Sequence, residues 1–383
     1  MVGVALPYLL RRQGVAVGHI ATISAIAQAP SICYLLWAPT VDVGLRRRTW
    51  LLVLSVAGAG LAGVAIAGLA SEGVGVTTTL FVLASMVSQP ISSAVGGLVA
   101  AKMPDAMRGR TGGWSQAGML TGGVLTGGAT IWLSGHATMA VTALAAGVLM
   151  AAPAFAALAI REARPRETRL GPELHAVARD IRATLRRRDV RFGLVFFLSP
   201  IDAGALLNLF SAVAREYHAS PLQVIWVVAL AGVLTPVGAV VGGFVCDRFD
   251  RWRVYPMTGL LAAAAAASMA AAPLAPATYV AGAAAYAVVL GFCYAAFMAL
   301  GFQLVGADTA ASATRFSLFM AAVNVPIVYM TRLDGWGFTH FGVRGMLLVD
   351  AASNALFGIA FALLVWSSET ETLISERRRF PRP

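Results

Sequence analysis

Residues 37–50 read WAPTVDVGLRRRTW, and residues 242–255 read GGFVCDRFDRWRVY. In the first stretch an apolar run stops at Pro39, one carboxylate stands at Asp42, and Arg46, Arg47 and Arg48 follow before apolar residues resume. In the second, Asp247 precedes Arg251 and Arg253 by the same four and six residues. An acid and a basic cluster squeezed between long apolar runs, and then repeated, decide how the chain is divided.

The runs on either side dominate the composition. Of 383 residues, 58% are apolar and 12% charged, with a mean hydropathy of +0.75, whereas soluble domains are about a quarter charged. Apolar segments of about twenty residues recur from end to end, the length a helix needs to cross a hydrocarbon core of roughly 30 Å. Backbone polar groups in lipid must be satisfied without water, and these runs lack the alternation of barrel strands. The expected fold class is therefore an all-α membrane protein. Twelve spans are read at 1–10, 19–39, 49–70, 75–100, 111–134, 137–160, 192–214, 221–246, 254–273, 276–306, 313–339 and 345–366.

The longest polar interruption, residues 161–191, divides the spans six and six. The expected domains are an amino-terminal bundle at 1–160, a linker at 161–191, a carboxy-terminal bundle at 192–366 and a tail at 367–383. Leu174, Val177, Ile181 and Leu185 recur at helical spacing in the linker, which fits either an amphipathic helix on the membrane surface or a solvated basic connection. Basic residues stay preferentially on the cytoplasmic side. Placing Asp42 on that side puts 24 of the 29 basic residues there, together with both termini.

Several classes of function are set aside. The net charge of +11 lies in membrane-flanking loops, not in a domain that could read bases, so no nucleic-acid partner is expected. Cys33, Cys246 and Cys293 lie inside apolar spans, and the histidines lack ligand spacing, so no metal and no cofactor are implied. No phosphate-cradling GxxxxGK[ST] is present. Gly58, Gly60 and Gly63 match GxGxxG only inside an apolar run, where small residues serve helix packing. Gly113-Trp-Ser115-Gln-Ala117 lacks the last glycine and the context of a nucleophile elbow. The chain is not expected to be an enzyme.

The repeat carries a family resemblance. Two parallel six-span halves are the architecture of major facilitator transporters. Both Asp-Arg stretches, each between the second and third spans of its half, resemble that superfamily's cytoplasmic signature G-x-x-x-D-R/K-x-G-R-R/K, although Val43 stands where a basic residue is usual. The wording Leu35-Leu-Trp-Ala-Pro39 resembles more closely the branch of muropeptide permeases and acetyl-CoA transporters. Physically, a carboxylate at the end of one helix can pair with arginines or a helix N-terminus across a closed seam and release them when it opens. Asp42, Arg46, Arg48, Asp247, Arg251 and Arg253 are therefore the expected gating residues.

Polar groups inside spans are costly and usually functional. Asp202 lies about ten residues into the seventh span, with Asn208 on the same segment. Arg332 and Asp334 lie in the outer half of the eleventh, with Asn324 two to three turns earlier. The fold that the resemblance implies puts the seventh and eleventh spans around a central cavity, so these residues are candidates for binding substrate or a proton; Arg332 and Asp334 could alternatively form an interfacial pair. Gln28 and Gln89 are weaker candidates, as are Gln116, Tyr286, Tyr294 and Gln303. Asp350 enters the twelfth span, peripheral in that fold, and is left out.

The resulting expectation is a monomeric secondary transporter in a bacterial inner membrane. It would move a small amphiphilic or anionic metabolite by alternating access, coupled to protons and surrounded by lipid. A drug or small-metabolite antiporter is the alternative within the class, and a non-transporting receptor or scramblase the alternative outside it. The first span, MVGVALPYLL, covers only about 15 Å at 1.5 Å per residue, so the sequence predicts a first helix truncated at its cytoplasmic end, either because the start lies upstream of Met1 or because the natural protein is shortened.

Overall fold

The computed structural model describes the chain except residues 1–4, 16–22, 24–40, 42–44, 71–72, 160–178, 180, 202, 211–212, 307–311 and 380–383, and the side chains of 7, 11, 70, 101, 208 and 368–379. Every described element is helical. The first span forms Ala5–Arg12, the third Arg47–Ala67, the fourth Gly73–Lys102 and the fifth Arg108–His136. The sixth is Met139–Ala151, extended by a tighter 3-10 segment, Ala152–Ala159. The eighth, ninth and tenth are Pro221–Arg248, Arg251–Ala271 and Pro276–Val305. The last two run as Ser312–Arg379, split at Gly342, whose φ of 66° only glycine adopts readily. Seven of the described helices, this double one included, are long and apolar enough to cross a membrane.

Local chemistry fixes where helices begin. Thr138 accepts a hydrogen bond from the Val141 amide, and Ser220 and Gln223 form a reciprocal capping box ahead of Pro221 at the first helical position. The seventh span departs from the continuous helix expected over 192–214. Arg188–Phe197 ends, and a short helix, Ala205–Leu209, follows Gly204 at φ 59°. Pro200 has no amide and disfavours helix in the residue before it, which explains the break. Carbonyls freed there need partners. Tyr329 donates to the Leu198 carbonyl at 2.8 Å, and Tyr255 donates to that of Ile201 at 3.2 Å.

The chain divides into two compact units. One comprises Met1–Met103, Met119–Val190 and Val305–Ala321; the other comprises Pro104–Gly118, Arg191–Leu304 and Ala322–Pro383. Compared with the sequence halves, the start of the fifth span and the start of the eleventh are exchanged. In the first unit Leu6, Leu9 and Leu10 of the short first helix are buried against Ala62, Ala65, Ile66 and Phe81. Gly58 meets Ser88 of the fourth span and Gly63 meets the Ala143 carbonyl of the sixth, while Gly60 has nothing within 4 Å. Two of the three GxGxxG glycines are thus packing positions. The beginning of the eleventh span packs on the fourth: Ser93 and Ser317 share a 2.7 Å hydrogen bond, and Ser312 donates to the Gly97 carbonyl at 3.2 Å.

In the second unit, Leu206, Phe210, Tyr217, Tyr279, Tyr286, Met346 and Leu347 form a core shared by the seventh, ninth, tenth and twelfth spans. Small residues let the fifth, eighth and tenth spans cross closely. A Cβ on Gly113 would collide with the Ala239 carbonyl, and one on Gly238 with that of Val288.

Candidate functional site

Asp247 ends the eighth span next to the start of the fifth. Its Oδ1 accepts from the Gly109 amide at 2.7 Å. Its Oδ2 accepts from the Arg110 amide at 3.1 Å and from Arg110 Nε at 2.7 Å. The first amides of a helix have no partner within it and carry the positive end of its dipole, so a carboxylate is the fitting cap. Glycine at 109 is required by this approach, since a Cβ there would lie 2.5 Å from the Gly243 carbonyl and 2.6 Å from Asp247 Oδ1. The Asp247 side chain is 8% exposed and its partner Arg110 42%, so the pair is half sheltered.

Four residues on, Arg251 makes the second contact. It donates to Asp105 Oδ1 at 3.1 Å and Gln303 Oε1 at 3.2 Å, and also to the Asp105 carbonyl. Asp105 accepts from Arg108 at 3.0 Å as well. Burial draws the Arg108 guanidinium below its ordinary range; Asp105 opposes that shift and Arg251 adds to it. One carboxylate thus gathers two arginines, one from each sequence half, at the basic-rich end of the bundle.

The sequence-predicted residues divide clearly. Asp247 and Arg251 are brought together with residues 105–110. Arg253 is exposed, and Arg46 precedes the third span in extended conformation. Arg48 is half-buried near the start of that span. Asp42, Gln28 and Asp202 lie outside the described residues, as does the side chain of Asn208. Gln89 and Asn324 are half-buried on the fourth and eleventh spans. Asp105, Gly109 and Arg110 were missed as site residues, because the loop at 101–110 was read only for its positive charge. The motif PDAMRGR, an acid three residues before an arginine at a helix start, carried the signal.

The eleventh span holds the second arrangement. Asp334 is fully buried and neither carboxyl oxygen has a hydrogen-bond partner. Arg332 is exposed and makes no ion pair with it, so the pairing alternative is not what the structure contains. Two residues apart on a helix project about 200° from each other. Asp350, left out because the resemblance makes its span peripheral, is buried at 1% exposure, and the Tyr286 hydroxyl lies 3.4 Å from each of its oxygens. A helix's place in the family fold does not say what its one acid faces.

The profile of the Major Facilitator Superfamily matches residues 1–314 and again 192–381. The chain belongs to this superfamily. Its fold is similar to the Escherichia coli fucose:proton symporter, with a TM-score of 0.67, 14% identity and 90% of each chain covered. It is similar to a bacterial homologue of the iron transporter ferroportin in an outward-facing state, at 0.63 and 14%, covering 95% of this chain and 94% of that one. The human organic anion transporter TETRAN gives 0.61 and 15%, covering 93% and 88%. No curated protein sequence matches significantly. This superfamily member is accordingly a multi-pass integral membrane protein of a transporter family whose members bind small molecules.

Proposed function

We propose that this major facilitator protein is a secondary active transporter working by alternating access, with the contacts of Asp247 as the latch of its cytoplasmic gate. The observation that carries the reading is the three-point grip of Asp247 on the Gly109 and Arg110 amides and the Arg110 guanidinium. A static receptor has no need of a carboxylate that caps a helix from the other sequence half. A latch does, because such contacts can be given up and remade. Hydrogen bonds to a charged group contribute about 1.5 to 3 kcal/mol, enough to bias a two-state gate without locking it.

On the internal repeat, the same gating task is extended to Asp42. The substrate is proposed to be an amphiphilic or anionic metabolite of the muropeptide or acyl-CoA-like class, on the wording around Trp37, with Asp202, Asn208 and Asn324 on the pathway. Proton coupling, a monomeric state and a bacterial inner membrane complete the proposal. Purified protein in liposomes, screened with candidate substrates with and without an imposed proton gradient, tests it. Uptake that follows the gradient supports the reading, and no flux of any candidate in either condition counts against it.

A further inference from the structure

Asp334, Asp350 and Tyr286 lie buried on three different spans of the second unit, with the Tyr286 hydroxyl on Asp350. Counting along each helix from its nearer end, Asp334 lies seven residues before Gly342's neighbour at 341, Asp350 seven after 343, and Tyr286 ten after Pro276. At 1.5 Å per residue each is about 10 to 15 Å deep, well inside the hydrocarbon thickness. Their exposures are 0%, 1% and 2%. Walls are apolar or aromatic: Phe210 meets the Tyr286 ring edge-on at 5.8 Å, with Met346, Leu347 and Ala351 in the same core.

The polar inventory is short. Asp350 and Asn354 face the site from the twelfth span, where the Asn354 amide donates to the Asp350 backbone carbonyl at 3.0 Å. Cys293 and Tyr294 of the tenth span and Asp334 of the eleventh act electrostatically on Tyr286, while the Cys293 thiol itself points to the Thr258 carbonyl at 3.7 Å. Asp334 and Asp350 are close enough to act on each other electrostatically. Among the described residues no arginine, lysine or histidine makes an ion pair with either carboxyl.

Two carboxylates without a counter-charge cannot both stay ionised in so dry a place, since burial and mutual repulsion both favour the neutral acid. Tyr286 offers its hydroxyl to Asp350, so that acid is the better acceptor of negative charge. Asp334 has nothing to stabilise a charge. We infer that Asp334, Asp350 and Tyr286 form a proton-binding site within the second unit, with the proton carried on Asp334. Release breaks one carboxyl O–H bond and passes the proton to water reaching the site, leaving the carboxylate; uptake is the reverse. Gly342, in its left-handed conformation between the eleventh and twelfth spans, is the joint at which the two acids can separate. Use of this proton to drive flux rests on the transporter reading above, whereas its presence on Asp334 does not.

Infrared difference spectra of the purified full chain test the site without a substrate. The expected result is a deuterium-sensitive carbonyl band of a protonated carboxyl at neutral pH, lost in Asp334→Asn and shifted in Asp350→Asn and Tyr286→Phe. The band should be unchanged by sodium chloride. A spectrum in which Asp334→Asn removes no such band, or in which sodium abolishes it, overturns the inference in favour of an ionised or cation-filled site. The isosteric variants keep the packing, and Tyr286→Phe gives a second reading should one of them fold poorly. Wild-type flux is measured separately, so a failed transporter reading shows as absent flux with the band intact.

Discussion

Asp247 and Asp334 are the same residue type, each at least nine-tenths buried, and the protein treats them in opposite ways. Asp247 sits at the polar end of the bundle with two backbone amides and a guanidinium around it. Asp334 sits in a helical core with neither oxygen bonded. The first is built to stay charged and to hold something; the second is built to be neutral and can respond only by gaining or losing a proton. What a buried acid does is decided by the donors around it, not by its burial.

The sharpest way to break the comparison is to remove the geometry that lets Asp247 reach its donors. Gly113→Leu places a side chain against the Ala239 backbone, and overpacking of this kind costs about 1 to 3 kcal/mol or more. Flux should fall roughly a hundredfold, while Gly122→Leu on the same span, where nothing lies within 4 Å, should change it less than about twofold. Equal losses would show that the crossing is not special.

Next in size is the charge itself. Asp247→Asn keeps one acceptor and loses the charge, so flux should drop about tenfold with substrate affinity kept, given about 1.4 kcal/mol per factor of ten. A raised KM with unchanged maximal rate would place Asp247 in binding instead of gating. The matching change in the core should cost little. Asp334→Asn exchanges one unpartnered neutral polar group for another of the same shape, so its melting temperature should hold within about a few degrees. A clear fall would mean that Asp334 has a structural partner.

The smallest effect is expected at Asp189, on the polar approach to the seventh span. Its carboxyl accepts from Arg187 at 2.6 and 3.2 Å and is held below the ordinary carboxylate range, chiefly by that hydrogen bond. A depressed acid adds stability above its unfolded value and loses it as pH falls toward the folded one. Both side chains are over 40% exposed, so solvent screening limits the pair to about 0 to 1 kcal/mol. Asp189→Asn should flatten only a slight loss of melting temperature on acidification below about pH 4.

Much of this was legible in the residues. Long apolar runs gave the helical spans, because lipid leaves the backbone no other partner than its own chain, and the repeat of Asp42 and Asp247 divided them. That Asp247 would meet a helix N-terminus was one of the pairings its position at a helix end allowed. Its partner was not legible, since nothing in the spacing of Gly109 and Arg110 says which of several helix starts Asp247 will meet. The break in the seventh span was written in Pro200 and Gly204 but outweighed by an apolar run long enough to cross. Asp350 was lost for a different reason: burial of a side chain depends on which face of a helix meets its neighbours, and one acid gives no periodicity to read.

Hydrogen exchange at residues 104–118 tests the central claim most directly. Gly109 and Arg110 lie in the first turn, where amides have no helical acceptor, so Asp247 is the acceptor that protects them. Wild-type protein should show slow exchange at these two amides. Asp247→Ala should speed it by at least about tenfold, the equivalent of one lost hydrogen bond to a charge, with the later turns of the fifth span unchanged. Equal exchange in the two proteins would contradict the latch.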